Sequence, residues 1–313
     1  MSVYPLNNLN DTNRIQARSK YILVEGKLIE QNHYTRFIQP KTELWMFGVG
    51  LGDQAIMQQV GETFLDMPDP ALGRIMLSMG VTATAFYPYK GDWNLWWAWG
   101  DRPDWISYYL SKVTVKPQLY LCGSKRVQDE INQSATETLY CPLGVGDRFK
   151  PLHLKRAGLG YSGSDAKTPE QKRLILNPFI ERADFEWHSR KLTDEYFTLD
   201  KLNHWYNTKQ VLFGMVNENC SVLDVVPNRV YETFASGTPL VMTAHPGFME
   251  TFGFKQPYAA EKEGDAERHV QRILGNPEQA LKECEELSLI IRTRHHYSNR
   301  LSTIFNRLKE MRR

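Results

Sequence analysis

The stretch that most constrains this chain runs from Ser221 to Pro246, SVLDVVPNRVYETFASGTPLVMTAHP. Asn228 carries the short polar side chain favoured at a helix N-cap. Residues 229–236 read as a short helix with Val230, Phe234 and Ala235 on its apolar side. Gly237-Thr238-Pro239 stops that helix, and Leu240-Val241-Met242 is a short apolar run of the kind that forms a strand covered on both faces. Helix, tight stop and buried strand make one half of a parallel α/β layer. Ligands of such sheets gather where strands end and helices begin, because free backbone N–H groups there favour anions.

The same alternation runs through the rest of the second half. Gly158–Gly163 is a strand ending in glycine, and Thr168-Pro169-Glu170 starts a helix with proline in its first turn. Residues 185–187, 198–206 and 211–216 then read as strand, helix and buried strand, an order that demands a parallel sheet with right-handed crossovers. In the first half Tyr21–Val24 and Leu44–Phe47 read as strands. The second leads into Gly48-Val49-Gly50-Leu51-Gly52-Asp53 and a helical pattern from Gln54 to Phe64. A glycine loop between strand and helix brings backbone N–H groups close to a phosphate or a sugar, so Gly48 and Gly50 are candidate contacts. Leu119–Cys122 and Thr138–Tyr140 are further strands.

Length and composition set the frame. A chain of 313 residues suits two cores, divided here into 1–150 and 151–313. With 42% hydrophobic and 24% charged residues it has the make-up of an ordered globular protein. No apolar run reaches the ~18 residues of a membrane span, and the first residues lack a signal-peptide core. Cys122, Cys141, Cys220 and Cys284 are scattered without C-x-x-C spacing, which points away from zinc and disulfides and towards a cytoplasmic setting.

Two unusual stretches remain. Five of the eight tryptophans fall between Trp93 and Trp105, and the run is punctuated by Asp92, Asp101, Asp104 and glycines. Most of these rings are expected to fill a core. Trp93 with Asp92, Asp101 and Asp104 is read instead as an acceptor-lining loop, since aromatic faces bind sugars and stack on bases. From Arg292 onward seven Lys/Arg face Glu310 alone. Leu301, Ile304, Phe305 and Leu308 make this tail an amphipathic helix, whose basic side meets phosphate, a membrane surface or an acidic patch of its own protein.

Taken together, Asp224 and Glu232 on either side of Val225-Val226-Pro227, the Asn228–Glu232 segment leading into Ala235-Ser236-Gly237-Thr238-Pro239, and the Cys141–Pro151 turn containing Pro-Leu-Gly-Val resemble the GT-B glycosyltransferases. The nearer likeness is to the CgeB-type (spore-protein-like) and family 4-like members. The resemblance covers residues 119–313. It implies a GT-B fold: two Rossmann-like domains, with a C-terminal helix crossing back to the first. The first domain would take the acceptor and the second a nucleotide sugar, UDP- or GDP-linked, with no other cofactor and no metal.

By the same resemblance Glu232 holds the ribose hydroxyls, Asp224 faces the sugar, and Arg229, Asn228, Gly163 and Ser164 border the donor. Ser164 stands where relatives carry an arginine, so Lys167 and Lys172 are the candidate phosphate cations. Asp224 replaces the usual glutamate. A retaining transfer fits the acidic pair, whereas an inverting one needs a base, for which Asp53, His33 or Asp92 can serve. The acceptor is left open among a glycan, a protein and a hydroxymethylated DNA base. The last would use the basic tail and the tryptophans. A binding protein of the same shape without catalysis is the other alternative, and oligomeric state is not specified.

Overall fold

The computed structural model describes residues 14–18, 21–24, 27–30, 33–48, 51–67, 69–80, 91–99, 116–133, 137–163, 167–188 and 198–313. In chain order the described elements begin with β1 (Arg14–Arg18), β2 (Tyr21–Val24), β3 (Lys27–Glu30), β4 (His33–Gln39), β5 (Thr42–Gly48), α1 (Leu51–Leu65), β6 (Gly73–Met79) and β7 (Trp93–Ala98). Next come β8 (Leu119–Cys122), α2 (Lys125–Asn132), β9 (Thr138–Tyr140), β10 (Leu159–Ser162), α3 (Pro169–Ile175), β11 (Phe185–His188) and α4 (Leu199–Thr208). The chain continues through β12 (Val211–Gly214), α5 (Glu218–Val222), α6 (Asn228–Ala235), β13 (Leu240–Thr243), α7 (Phe248–Phe252) and β14 (Ala259–Ala260). It closes with α8 (Asp265–Gly275), α9 (Pro277–Arg294) and α10 (Tyr297–Met311).

Two compact units result. The first holds the described residues of Asn7–Pro142 together with Val222–Val225 and Tyr297–Arg313. The second holds Leu143–Ser221 and Val226–His296. The tail therefore returns to the first unit, and so do four residues just ahead of α6.

The first unit is a seven-stranded sheet in the order β1-β4-β5-β6-β7-β8-β9, parallel from β5 onward. The strand expected at Tyr21–Val24 forms, but it pairs with β3 as a separate antiparallel hairpin outside that sheet. Strand β7 carries Trp93, Trp96 and Trp97, all buried, and the indole N–H groups of Trp96 and Trp97 donate to Gly80 O (3.0 Å) and Cys141 O (2.7 Å). The aromatic run from Trp93 is thus a central strand rather than the loop expected. Backbone pairing of Ile75 with Trp93 and of Leu95 with Leu119 covers it on both edges, and the rings fill both faces.

Helix α10 closes this unit. Leu301, Ile304, Phe305 and Leu308 are buried, with Phe305 edge-on to Phe64 of α1. Its cations are bound by the same unit: Arg307 reaches Glu137 (2.5 Å), Lys309 reaches Asp69 (2.5 Å), and Arg312 donates to Ala71 O. Of the three partners foreseen for the basic tail, the unit itself supplies these contacts, through two carboxylates and a backbone carbonyl.

The second unit is a five-stranded, all-parallel sheet in the order β11-β10-β12-β13-β14. In terms of sequence its strands stand second, first, third, fourth, fifth. That is a doubly wound order whose reversal falls between β10 and β12, and the crevice at such a reversal is where ligands sit. The core is apolar, with Phe179 stacked on Phe213 at 4.7 Å.

Helix α6 ends as its sequence dictates. Gly237 adopts φ 66°, a conformation that a side chain would strain. The half-buried Arg156 guanidinium then takes up carbonyls at the helix ends, donating to Ser236 O, Gly237 O, Tyr206 O and Lys209 O and to Thr238 Oγ1. A cation at the carbonyl ends of two helices opposes their negative poles. At the other end of α6 the cap position belongs to Pro227, not Asn228. Asn228 is the first helical residue; among the described residues its side-chain oxygen does not accept a backbone N–H as a cap would, and its amide donates along the helix to Glu232 Oε1 at 3.2 Å.

Candidate functional site

The sequence features of the second unit converge at the carboxyl end of β10. Gly163 follows that strand and is tied to the neighbouring edge by Gly163 N–H donating to His188 O and Trp187 Nε1–H donating to Gly163 O. Directly against it lies Arg229 from the first turn of α6. A Cβ built on Gly163 would stand 2.5 Å from Arg229 Nη1 and 2.6 Å from the Tyr161 hydroxyl. Only glycine leaves that space to the guanidinium. The Arg229 charge also faces the Tyr161 ring, 6.0 Å from its centroid.

Burial opposes the charge on Arg229, yet the Tyr206 and Tyr161 hydroxyls and the Glu232 carboxylate hold its pKa above the ordinary arginine value. Tyr206 is a buried residue of α4, and burial pushes its hydroxyl well up, so it stays protonated. Lys167 supplies a second cation. Burial, reinforced by the positive charge of Arg229, brings its pKa down to about 8. The Arg229 charge is felt at Lys167 and disfavours its ammonium, and an anion bound beside the two would relieve that repulsion.

The remaining expected donor residues divide. Glu232 is 2% exposed, on the same helix as Arg229. Lys172 lies in the last turn of α3, not at its N-terminus. Ser164 lies outside the described residues. Gly163, Lys167 and Arg229 were legible as separate candidates. Tyr161, Tyr206 and Arg156 were missed, because a tyrosine in a strand or helix carries no positional signal until its partner is known.

In the first unit the expected residues gather at two opposite ends of the parallel sheet. Gly48 ends β5, and Asp53 in the first turn of α1 packs against it. His33 is paired with Gly48 across the β4–β5 ladder. Gly50 lies outside the described residues. Trp99 and Gly123 stand at this same carboxyl end, past β7 and β8.

Trp93 and Asp92 lie at the other end. Asp92 accepts the Arg74 N–H at 2.7 Å, at the start of β6, and Trp93 opens β7 inside the sheet. These two residues, expected to line an acceptor cleft, thus stand at the end of the sheet opposite the carboxyl end at which parallel sheets bind ligands, and the run reaches that end only at Trp99. Asp101 and Asp104 lie outside the described residues.

Asp224 adopts φ 56°, a left-handed conformation that costs a non-glycine residue energy. It belongs with the first unit, 3.9 Å from Arg126 of α2, and the neighbouring Leu223 O accepts from the Ser124 hydroxyl. Among the described residues no group of three or more His, Cys, Asp or Glu side chains is placed to hold a metal ion, and no helix is long and apolar enough to cross a membrane.

Two Rossmann-like units with a returning C-terminal helix define the GT-B fold. Comparison with solved structures agrees. The chain matches TarM of S. aureus, crystallised with fondaparinux, alpha-GlcNAc-glycerol and UDP, at a TM-score of 0.52 and 11% identity, over 88% of this chain. It spans 61% of the length of that TarM chain. It matches sucrose-phosphate synthase from Thermosynechococcus elongatus at 0.51 and 10% identity, covering 96% of this chain and 87% of that one. Trehalose-6-phosphate synthase OtsA matches at 0.52 and 9% identity, covering 88% of each. Residues 170–306 match a family model described as "Glycosyl transferase-like". No curated protein matches the sequence.

Proposed function

We propose that this protein is a glycosyltransferase that moves a sugar from a nucleotide-sugar donor, UDP- or GDP-linked, to an acceptor hydroxyl. The observation that carries the reading is Arg229 set against Gly163, which follows β10 at the strand-order reversal of a parallel sheet, with Lys167 close enough to feel its charge. The chemistry of the transfer leaves a diphosphate, and fixed cations with helix N-termini stabilise that leaving charge as it develops. The match of residues 170–306 to a glycosyl transferase-like family supports the same assignment for this unit.

In this reading the second unit takes the donor, and the first takes the acceptor at the carboxyl end of its sheet, near Gly48, Asp53 and Trp99. Transfer is retaining and needs no metal, as the resemblance of the Asp224–Glu232 pair implies. The acceptor class is left open. A modified DNA base is the weaker choice, because Arg307, Lys309 and Arg312 of the tail are engaged within their own unit.

The test is a thermal-shift panel of UDP, GDP, ADP, CDP and dTDP with the matching nucleotide sugars. A donor at 100 times its dissociation constant stabilises by ~2.7 kcal/mol. Stabilisation by one nucleobase series, with slow release of its diphosphate from the sugar form, is the expected result. A flat panel would remove the donor assignment.

A further inference from the structure

We propose that Ser124 and Arg126, at the turn from β8 into α2, are positioning residues for Asp224: they hold its left-handed backbone and its carboxylate in place for the transfer step. This rests on the donor reading above and on the sugar-facing role that the resemblance implies for Asp224.

The loop ahead of α6 takes a left-handed turn and has no glycine to supply it. From Ser221 to Pro227 the chain reads Ser-Val-Leu-Asp-Val-Val-Pro, and Asp224 adopts the conformation, at φ 56°. Aspartate enters this region more readily than most side chains, yet at a cost that its surroundings must offset. Those surroundings belong to the first unit, which takes in Val222–Val225. Aspartate also has one rotatable bond fewer than the glutamate usual at this place, so its backbone decides more of where the carboxylate goes. A small displacement of a reacting group costs rate steeply.

The β8–α2 turn meets Asp224 before, after and at its carboxylate. Before it, the Leu223 carbonyl accepts the Ser124 hydroxyl. After it, Val225 packs on Gly123, where an added Cβ would stand 3.3 Å from Val225 Cγ1. The carboxylate itself lies 3.9 Å from the Arg126 guanidinium. Ser124 is fully buried and its hydroxyl is used twice, since its oxygen also accepts the Val127 N–H at 3.0 Å and caps α2. The peptide leading into Asp224 is thus tied to the first turn of a helix. The Asp224 side chain nevertheless stays 26% exposed, and that of Arg126 52% exposed, so their ion pair adds little stability and leaves the carboxylate open to a ligand.

The experiment is a double-mutant cycle read on hydrolysis of whichever nucleotide sugar stabilises wild type. kcat, KM and melting temperature are measured for wild type, Ser124→Ala, Asp224→Asn and the Ser124→Ala/Asp224→Asn double variant. Ser124→Ala is expected to lower kcat on the order of tenfold, with KM within about twofold of wild type. In the Asp224→Asn background the same change should alter kcat by less than about twofold, although it lowers the melting temperature in both backgrounds. A serine with only a structural role would lower the melting temperature without that coupling. An equal kcat loss in both backgrounds, or no loss in the first, overturns the inference, and so does an Asp224→Asn variant with wild-type kcat. Should Ser124→Ala fail to fold, Arg126→Gln enters the same cycle. An effect on kcat that persists beside Asp224→Asn, or none without it, then overturns the inference. A wild type that binds diphosphates but loses nothing at Asp224 leaves the donor reading standing, whereas one that releases diphosphate from no nucleotide sugar strikes that reading and this inference with it.

Discussion

Arg229 Nη1 occupies the space that a side chain at position 163 would need: the two would stand 2.5 Å apart. The glycine at the end of β10 and the arginine at the start of α6 are far apart in sequence, and the fold brings them together. A Gly163→Ala variant is expected to displace the guanidinium while leaving the sheet intact, because Gly163 is not among the glycines held at positive φ. Diphosphate affinity should fall by about 1.5–3 kcal/mol, the range for a hydrogen bond to a charged group. Calorimetric titration with a melting curve on the same sample checks this, and an unchanged affinity would separate Gly163 from the site.

Lys167 gives the site a pH signature. Its folded-state pKa, about 8, lies below the ordinary lysine value of 10.5 because burial and then Arg229 disfavour the ammonium. The unfolded chain therefore holds this proton more tightly. The cost to folding is fully present below pH 8 and is relieved as pH rises from about 8 towards 10.5. Lys167→Met is expected to raise the melting temperature of the empty protein at about pH 7 and to weaken diphosphate binding. In wild type, diphosphate affinity should fall as pH rises through 8, with proton uptake on binding near that pH. Calorimetry in two buffers of different ionisation enthalpy measures the uptake.

The tryptophans predict opposite outcomes at neighbouring positions. Trp96 is fully buried and bonded to Gly80 O, so Trp96→Ala should cost about 3–5 kcal/mol of stability. Trp99, at the carboxyl end of the sheet, is only partly buried. Trp99→Ala should leave the melting temperature near that of wild type and reduce transfer to acceptor more than donor hydrolysis. A large destabilisation at Trp99 would assign it to the core.

Much of this was readable from sequence, and the failures have physical causes. The stop at Gly237-Thr238-Pro239, the buried strand after it and the apolar stripe Leu301–Leu308 were legible because local conformation and periodicity specify them. The tryptophan run was misread as a loop: aspartates and glycines bracket it at both ends, and the strand between them is so fully buried that it shows no alternation. Asn228 has the residue type that favours a cap, but Pro227 already holds the extended conformation that a cap needs. Arg156 was invisible, since a cation closing two helix ends is set by tertiary packing alone. Lys167 was found for its charge and Arg229 for its place in the motif. That Arg229 lies against Gly163 required the fold.

The tail is the simplest part to check. Phe305 is 5% exposed against Phe64, and Leu308 is fully buried. Phe305→Ala should cost roughly 3–5 kcal/mol, and deleting residues 301–313 should expose apolar surface to a dye such as ANS. A deletion that leaves the melting temperature unchanged would contradict the docking of this helix.

The central claim is that Lys167 and Arg229 form a diphosphate site at the carboxyl end of β10. Its most direct test is titration of the diphosphate that stabilises wild type into wild type, Lys167→Met, Arg229→Met and the double variant, at about pH 7 and matched salt. The account predicts clear binding to wild type, a loss on the order of tenfold or more in each single variant, and no measurable binding in the double variant. Binding of equal strength in all four proteins would contradict it.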